Sequence, residues 1–231
     1  MDPKEFLALF AVRIGESESR LDEARVFQLG CTSVPQNIHA QQQRCVNIVW
    51  ALHKTGALAD VDKIAIVGGG IAGLTSAILL VALGCNVTVY ESRGDIMHLQ
   101  RGNSTRFLHP NIATWPLPEF GYPITDMPCL NWRAGTAGEV EAQLRRQIQR
   151  FRATATGATH FKIEKNWPVL RVIKDEAGFK IYSDQERVGL ASMLLLAPGY
   201  GVEIPKFGST PSYWRNDDFS QTSLGAAHNR S

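Results

Sequence analysis

The chain has 231 residues, of which 44% are hydrophobic and 20% charged. That balance excludes collagen-like, coiled-coil and disordered chains, and the length is enough for one large domain or two small ones, each with a real core. Lys and Arg number 24 against 22 Asp and Glu, a net charge of +2 that points to no nucleic-acid surface.

The four cysteines, Cys31, Cys45, Cys85 and Cys129, have neither a CxxC pair nor metal-ligand spacing. Reduced thiols in a cytoplasmic protein are the expectation, with no metal site. The start of the chain lacks the basic-then-apolar pattern of a signal peptide, and the apolar stretch 64–83 is broken by Gly and Thr. No membrane span is expected.

In chain order, residues 1–62 read as a helical N-terminal extension. Ser33 and Pro35 suit a helix start, Ile38, Cys45, Val49 and Leu52 share one face, and Gly56 suits the stop. Gln42, Gln43, Asn47 and Lys54 fall on the opposite, polar face. Residues 63–67 form a short apolar run before three glycines, which reads as a buried strand. An apolar helix then runs to about Leu83 and stops at Gly84. Residues 86–90 are a second, β-branched strand that ends in Glu91. The two strands of such a βαβ unit run parallel.

Residues 94–135 are irregular and rich in Pro, Trp and Gly. A segment of this kind either borders a ligand or is a surface excursion held by its own aromatics. Trp115 and Trp132 in it are read as core residues. Thr136 and Glu139 make a capping box, followed by the apolar stripe Val140, Leu144, Ile148 and Phe151. Arg145, Arg146, Arg150 and Arg152 are assigned to a solvated face. Strands are expected at 160–163, at 169–173 and 179–182 as a hairpin around Asp175–Gly178, and at 192–196. The last of these runs into Ala197-Pro198-Gly199-Tyr200-Gly201. Residues 204–231 read as a polar tail.

The chemistry lies in the first βα turn. Gly68 permits the tight turn, Gly70 lets the backbone approach a diphosphate, and Gly73 lets helix and strand pack closely. The helix start offers unpaired amides and a partial positive charge. Glu91 stands 18 residues after Gly73 and suits the hydroxyls of a ribose; its charge would repel a 2′-phosphate. A P-loop would need Lys after Gly73, where Leu74 stands. The bland alternative is a tight turn with no ligand. The six histidines, among them His98 and His109 in the irregular segment, show no ligand spacing, and there is no GxSxG. No catalytic residue is assigned.

Residues 68–91 fit GxGxxGxxxAxxxxxxGxxVxxxE through Gly68, Gly70, Gly73, Ala77, Gly84, Val87 and Glu91. This resembles the FAD fingerprint of the glutathione-reductase-like flavoproteins. Arg93 matches the E-x-R form common among them, and Leu194–Gly199 is similar to their second signature, with Pro198 in place of Thr. The resemblance covers about 63–203. It implies an α/β, three-layer FAD/NAD(P)-binding Rossmann-like domain over those residues, with a parallel sheet and a β-hairpin subdomain. It also implies FAD as cofactor, with hydride transfer to or from a small-molecule substrate and NAD(P)H as a possible partner.

By the same resemblance, Gly68, Gly70, Ile71, Ala72 and Gly73 would hold the diphosphate and Glu91 the adenosine ribose. Ser92 would belong to the same cofactor site, and Arg93 would sit near that ribose or the adenine. Val169 would face the adenine through its backbone, Ala197 and Gly199 would pass close to the cofactor, and Arg106 would reach a phosphate. The family's later Gly-Asp signature is missing from the sequence as read, which suggests the N-terminal part of a longer protein. Two other functions stay open: an NAD-dependent dehydrogenase and a non-catalytic dinucleotide-binding module.

Overall fold

A computed structural model describes residues 1–12, 25–29, 37–113, 115–184 and 187–199. The expected helix start at Ser33 and Pro35, the turn residues Tyr200 and Gly201, Cys31 and the tail 204–231 lie outside the described residues.

The βαβ unit forms as expected, from β2 (Lys63–Val67), α3 (Ile71–Ala82) and β3 (Asn86–Tyr90). Before it come α1 (Pro3–Ala8), β1 (Val26–Gln28) and α2 (Ile38–Lys54). After it come β4 (Phe107–Leu108), β5 (Gly135–Thr136), α4 (Ala137–Arg152), α5 (Ala155–His160) and β6 (Phe161–Glu164). A small sheet follows, from β7 (Arg171–Asp175), β8 (Gly178–Tyr182) and β9 (Val188–Ala191), and then β10 (Met193–Leu196).

Five strands make a parallel sheet in the order β1-β10-β2-β3-β6. The expected strands 63–67, 86–90 and 160–163 are all in it. Among the described residues of the N-terminal segment, α1 and α2 are helical, and β1 lies beside β10. The expected hairpin is β7–β8, paired from Arg171↔Tyr182 to Asp175↔Gly178, and β9 widens it to three strands.

Side chains alternate across the central sheet with the period of two that a strand imposes. Ile64, Ile66, Val87, Val89, Met193 and Leu195 pack into the larger core with α2, α3 and α4. Ala65, Tyr90, Leu194 and Val26 face the smaller core, shared with Trp167, Phe179 and Ile181. Helices, central sheet and small sheet are thus three layers. Each fully buried Leu or Ile contributes roughly 1.5–3 kcal/mol.

Two polar residues sit elsewhere than their helical faces implied. Gln42, read as solvated, is fully buried: its Nε2 donates to the Leu130 carbonyl (3.0 Å) and its Oε1 accepts from Trp132 Nε1 (2.8 Å). Arg145, read as solvated, is tied to Glu141 and Asp95. The capping box is present, with Thr136 and Glu139 bonded reciprocally at the start of α4. Trp132 is core, as expected, whereas Trp115 is 73% exposed. Cys45, Cys85 and Cys129 are free thiols, and burial pushes the Cys45 thiol up to about 12.

Register brings the carboxyl ends of all five parallel strands onto one line: Gln28 opposite Leu196, Leu196 opposite Val67, Val67 opposite Tyr90, and Tyr90 opposite Glu164. From β2 the chain goes on to β3 on one side, while β10 and β1 lie on the other. Open α/β sheets bind ligands at such a reversal.

Candidate cofactor site

The turn after β2 has no room for side chains at two of its glycines. Gly68 adopts φ +111°, and a Cβ there would meet the Ala197 carbonyl oxygen at 2.1 Å. A Cβ on Gly73 would meet the Gly68 carbonyl oxygen at the same distance. These contacts seat α3 on the turn and the turn on the end of β10. Gly68 N–H donates to the Tyr90 carbonyl and Ala197 N–H to that of Val67, both at 2.8 Å.

Gly70 differs. Its φ is −80°, and a Cβ there would meet nothing within 4 Å. It is the N-cap of α3, and no side chain caps that helix. The helix start therefore faces open space with its first amides uncapped, the arrangement that attracts anions. Ile71 and Ala72, the first helical residues, are buried beneath it.

Glu91 is 6% exposed and already engaged. Its Oε2 accepts from Gly69 N–H (2.7 Å), and its Oε1 accepts from Arg93 N–H (2.8 Å) and Ser92 Oγ (3.2 Å). A carboxylate has about four lone-pair sites, so acceptor capacity remains on Oε2. The acid expected to clasp a ribose thus also props the glycine turn.

The segment after Glu91 closes over the turn. Met97 N–H donates to the Gly69 carbonyl (3.0 Å), and a Cβ on Gly69 would crowd Glu91 Oε2 at 2.8 Å and the Ile96 side chain at 3.1 Å. Asp95 anchors this segment. It accepts from Lys165 Nζ (2.7 Å), Arg145 Nη1 (3.1 Å) and Arg101 Nη1 (2.9 Å). Burial alone would raise its carboxyl; the bonds from Lys165 and Arg145 outweigh that and hold it well below the usual carboxylate range.

The structure brings together Gly68, Gly70, Ile71, Ala72, Gly73, Glu91, Ser92, Arg93 and Ala197 at the carboxyl edge. Gly199 follows two residues after Ala197, exposed, at φ +83°. Val169 is half-buried, and its side chain packs in the smaller core beside Trp167. Arg106 is exposed before β4. Its amide donates to Asn103 Oδ1 and its carbonyl accepts from Ala137 N–H, so its backbone serves the start of α4. His109 is buried, with Nδ1 accepting from Asn111 N–H.

Sequence reasoning missed Gly69, Asp95 and Met97. The run of three glycines was the available signal for Gly69. Asp95 had none, because its partners Arg145 and Lys165 are 50 and 70 residues away.

Residues 63–199 match the family model described as FAD dependent oxidoreductase. Among solved structures, a water-forming NADH oxidase from Lactobacillus brevis is similar at 13% identity and a TM-score of 0.39, covering 82% of this chain and 29% of that one. A ferredoxin reductase from Rhodopseudomonas palustris is similar at 11% identity and a TM-score of 0.37, covering 64% and 26%. An HOCl-induced flavoprotein disulfide reductase from Escherichia coli is similar at 17% identity and a TM-score of 0.34, covering 60% and 22%. The chain spans less than a third of the length of each of these structures. With the family model matched over more than half of its residues, the chain belongs to the FAD-dependent oxidoreductases, and its cofactor is FAD.

Proposed function

We propose that the carboxyl edge of the parallel sheet holds the adenosine diphosphate half of FAD, and that the protein is an oxidoreductase acting on a small-molecule substrate. One observation carries the reading: α3 starts uncapped beside open space at Gly70, with the Glu91 carboxylate held next to the same turn. A diphosphate suits the amides of Gly70, Ile71 and Ala72. Gly68 and Gly73 keep the turn tight enough to present them. Glu91 would accept from the ribose through its free lone pairs, with Ser92 and Arg93 alongside. Val169 would lie toward the adenine, and Ala197 and Gly199 along the cofactor's path. Arg106 would have to turn its exposed side chain toward a phosphate.

Bound flavin would supply the redox step by taking or giving a hydride. The chain's part is to bind, orient and exclude water. NAD(P)H is proposed as the partner reductant on the strength of the family. A cytoplasmic setting agrees with three cysteines kept as thiols. Among the described residues, no helix is long and apolar enough to cross a membrane.

The test is direct. Purified full chain should carry, or take up, FAD with the yellow absorbance of an oxidised flavin. Gly70→Ala should unfold like the wild type yet lose at least about tenfold in FAD affinity, because the methyl enters the space the diphosphate needs. Glu91→Ala should also weaken FAD. Colourless protein that takes up no FAD would end this reading.

A further inference from the structure

Gly69 is held from both sides. Gly69 N–H donates to Glu91 Oε2, and the Gly69 carbonyl accepts from Met97 N–H. A trans peptide is planar, so its carbonyl and its N–H point in opposite directions. The Met97 bond therefore sets where Gly70 N–H aims: away from Met97. That amide finds no acceptor among the described residues.

Met97 stays in place because the residues before it are pinned. Asp95 sits between Lys165, which follows β6, and Arg145 in the middle of α4. Arg145 Nη2 also donates to the Ile96 carbonyl (3.2 Å), and Ile96 N–H donates back to Asp95 Oδ1 (3.0 Å). Ile96 and Met97 are both buried, and Met97 adopts φ +51°, a left-handed conformation uncommon for a residue with a side chain. The chain of contact is short: Lys165 and Arg145 to Asp95, Asp95 and Arg145 to Ile96, Ile96 to Met97 along the backbone, Met97 to Gly69, and through one rigid peptide to the Gly70 amide.

We propose that Asp95 is a positioning residue for diphosphate recognition: by fixing Met97 against the Gly69 carbonyl, it aims the Gly70 N–H at the cofactor's diphosphate. This rests on the cofactor reading above. It separates two halves of the ligand. The diphosphate depends on the Gly70 amide, whereas the ribose depends on Glu91, whose bonds to Gly69 and Arg93 do not pass through Asp95.

The experiment compares ADP with adenosine on the full chain, by calorimetric titration of wild type, Asp95→Asn and Lys165→Gln. Asp95→Asn should weaken ADP about tenfold, the scale of one well-directed hydrogen bond to an anion, and leave adenosine within about twofold. Lys165→Gln removes one anchor at a half-exposed side chain, so it should shift the ADP-to-adenosine ratio the same way by a smaller factor. It keeps the question open to measurement if Asp95→Asn fails to fold. Equal weakening of both ligands, or an unchanged ADP affinity in a variant of a wild type that binds ADP, would overturn the proposal. Wild type that binds neither ADP nor FAD would bring down the cofactor reading itself, and this with it.

Discussion

The glycine turn at 67–73 and the excursion at 94–135 border the same helix layer, yet they are held in opposite ways. The turn is specified by missing side chains: at Gly68 and Gly73 the backbone comes so close that a methyl has no place. The excursion is specified by side chains that reach far along the chain. Gln42 of α2 bonds Leu130 and Trp132, Gln147 of α4 accepts from Asn131 N–H (3.0 Å), and Asp95 gathers Lys165 and Arg145. A backbone rule works wherever its residues stand in the sequence. A side-chain lock works only once both partners are folded. Stability in the turn is therefore a matter of space, and in the excursion a matter of paired polar groups.

Substitution at the turn should produce the largest effects and separate structure from binding. Gly68→Ala and Gly73→Ala each drive a Cβ onto a carbonyl oxygen at 2.1 Å. The backbone must move, and the loss should reach about 3 kcal/mol or more, read as a lowered urea midpoint. Gly70→Ala, three residues from one of them and two from the other, should leave that midpoint unchanged. If all three variants lose stability alike, the distinction between packing glycines and the open glycine is wrong.

Next comes the buried lock. Gln42→Leu leaves the Trp132 indole N–H and the Leu130 carbonyl without their partner in a site that is closed to water. The cost should be about 2–3 kcal/mol, because the groups left behind stay desolvated. Adding Trp132→Phe to Gln42→Leu removes the stranded donor and should recover part of the loss, a coupling that a double-mutant cycle reads directly. Strict additivity would mean the two side chains do not act as a pair.

The same contrast explains what could be read in advance. The βαβ unit, its crossover helix, the capping box at Thr136 and the β7–β8 hairpin are all local patterns, and each is present, the hairpin's first arm two residues later than expected. Gln42 and Arg145 were misplaced for one reason: helical periodicity identifies a polar face but not a partner waiting beside it. β1 is three residues long, too short for alternation to register, and β9 was not expected although it is as long as β6 and β10. Of the candidate site, the glycine turn and the acid that ends β3 were legible as local pattern, and the structure places Gly68, Gly70, Gly73 and Glu91 beside one another. Asp95 and Met97 were not, since their roles arise only when β3, β6 and α4 converge.

Acid should then loosen the excursion through Asp95. Its folded carboxyl titrates below its ordinary value of 3.8, through its bonds to Lys165 and Arg145 after burial has been overcome. A depressed carboxylate adds stability that is complete above the unfolded value and is lost as pH falls through the folded one. Wild type should therefore exceed Asp95→Asn in urea midpoint near neutrality, and the gap should narrow as pH drops below 3.8. A gap that stays constant into acid would assign the effect to packing rather than charge.

The smallest effect should have the opposite sign. Thr75 lies in α3 at 0% exposure, and its hydroxyl finds no partner among the described residues. A hydroxyl stranded in a dry core costs about 1–3 kcal/mol, and Thr75→Val replaces it with a methyl of nearly the same shape. The variant should gain up to about 1 kcal/mol, since the β-branched side chain keeps its stiff rotamer in the helix. Because Thr75 lies one turn inside α3 from Gly70, the gain should come with no change in FAD affinity. A destabilised Thr75→Val would mean the hydroxyl has a partner, and the helix layer would then owe more to polar locks, like the excursion beside it, than to close packing alone.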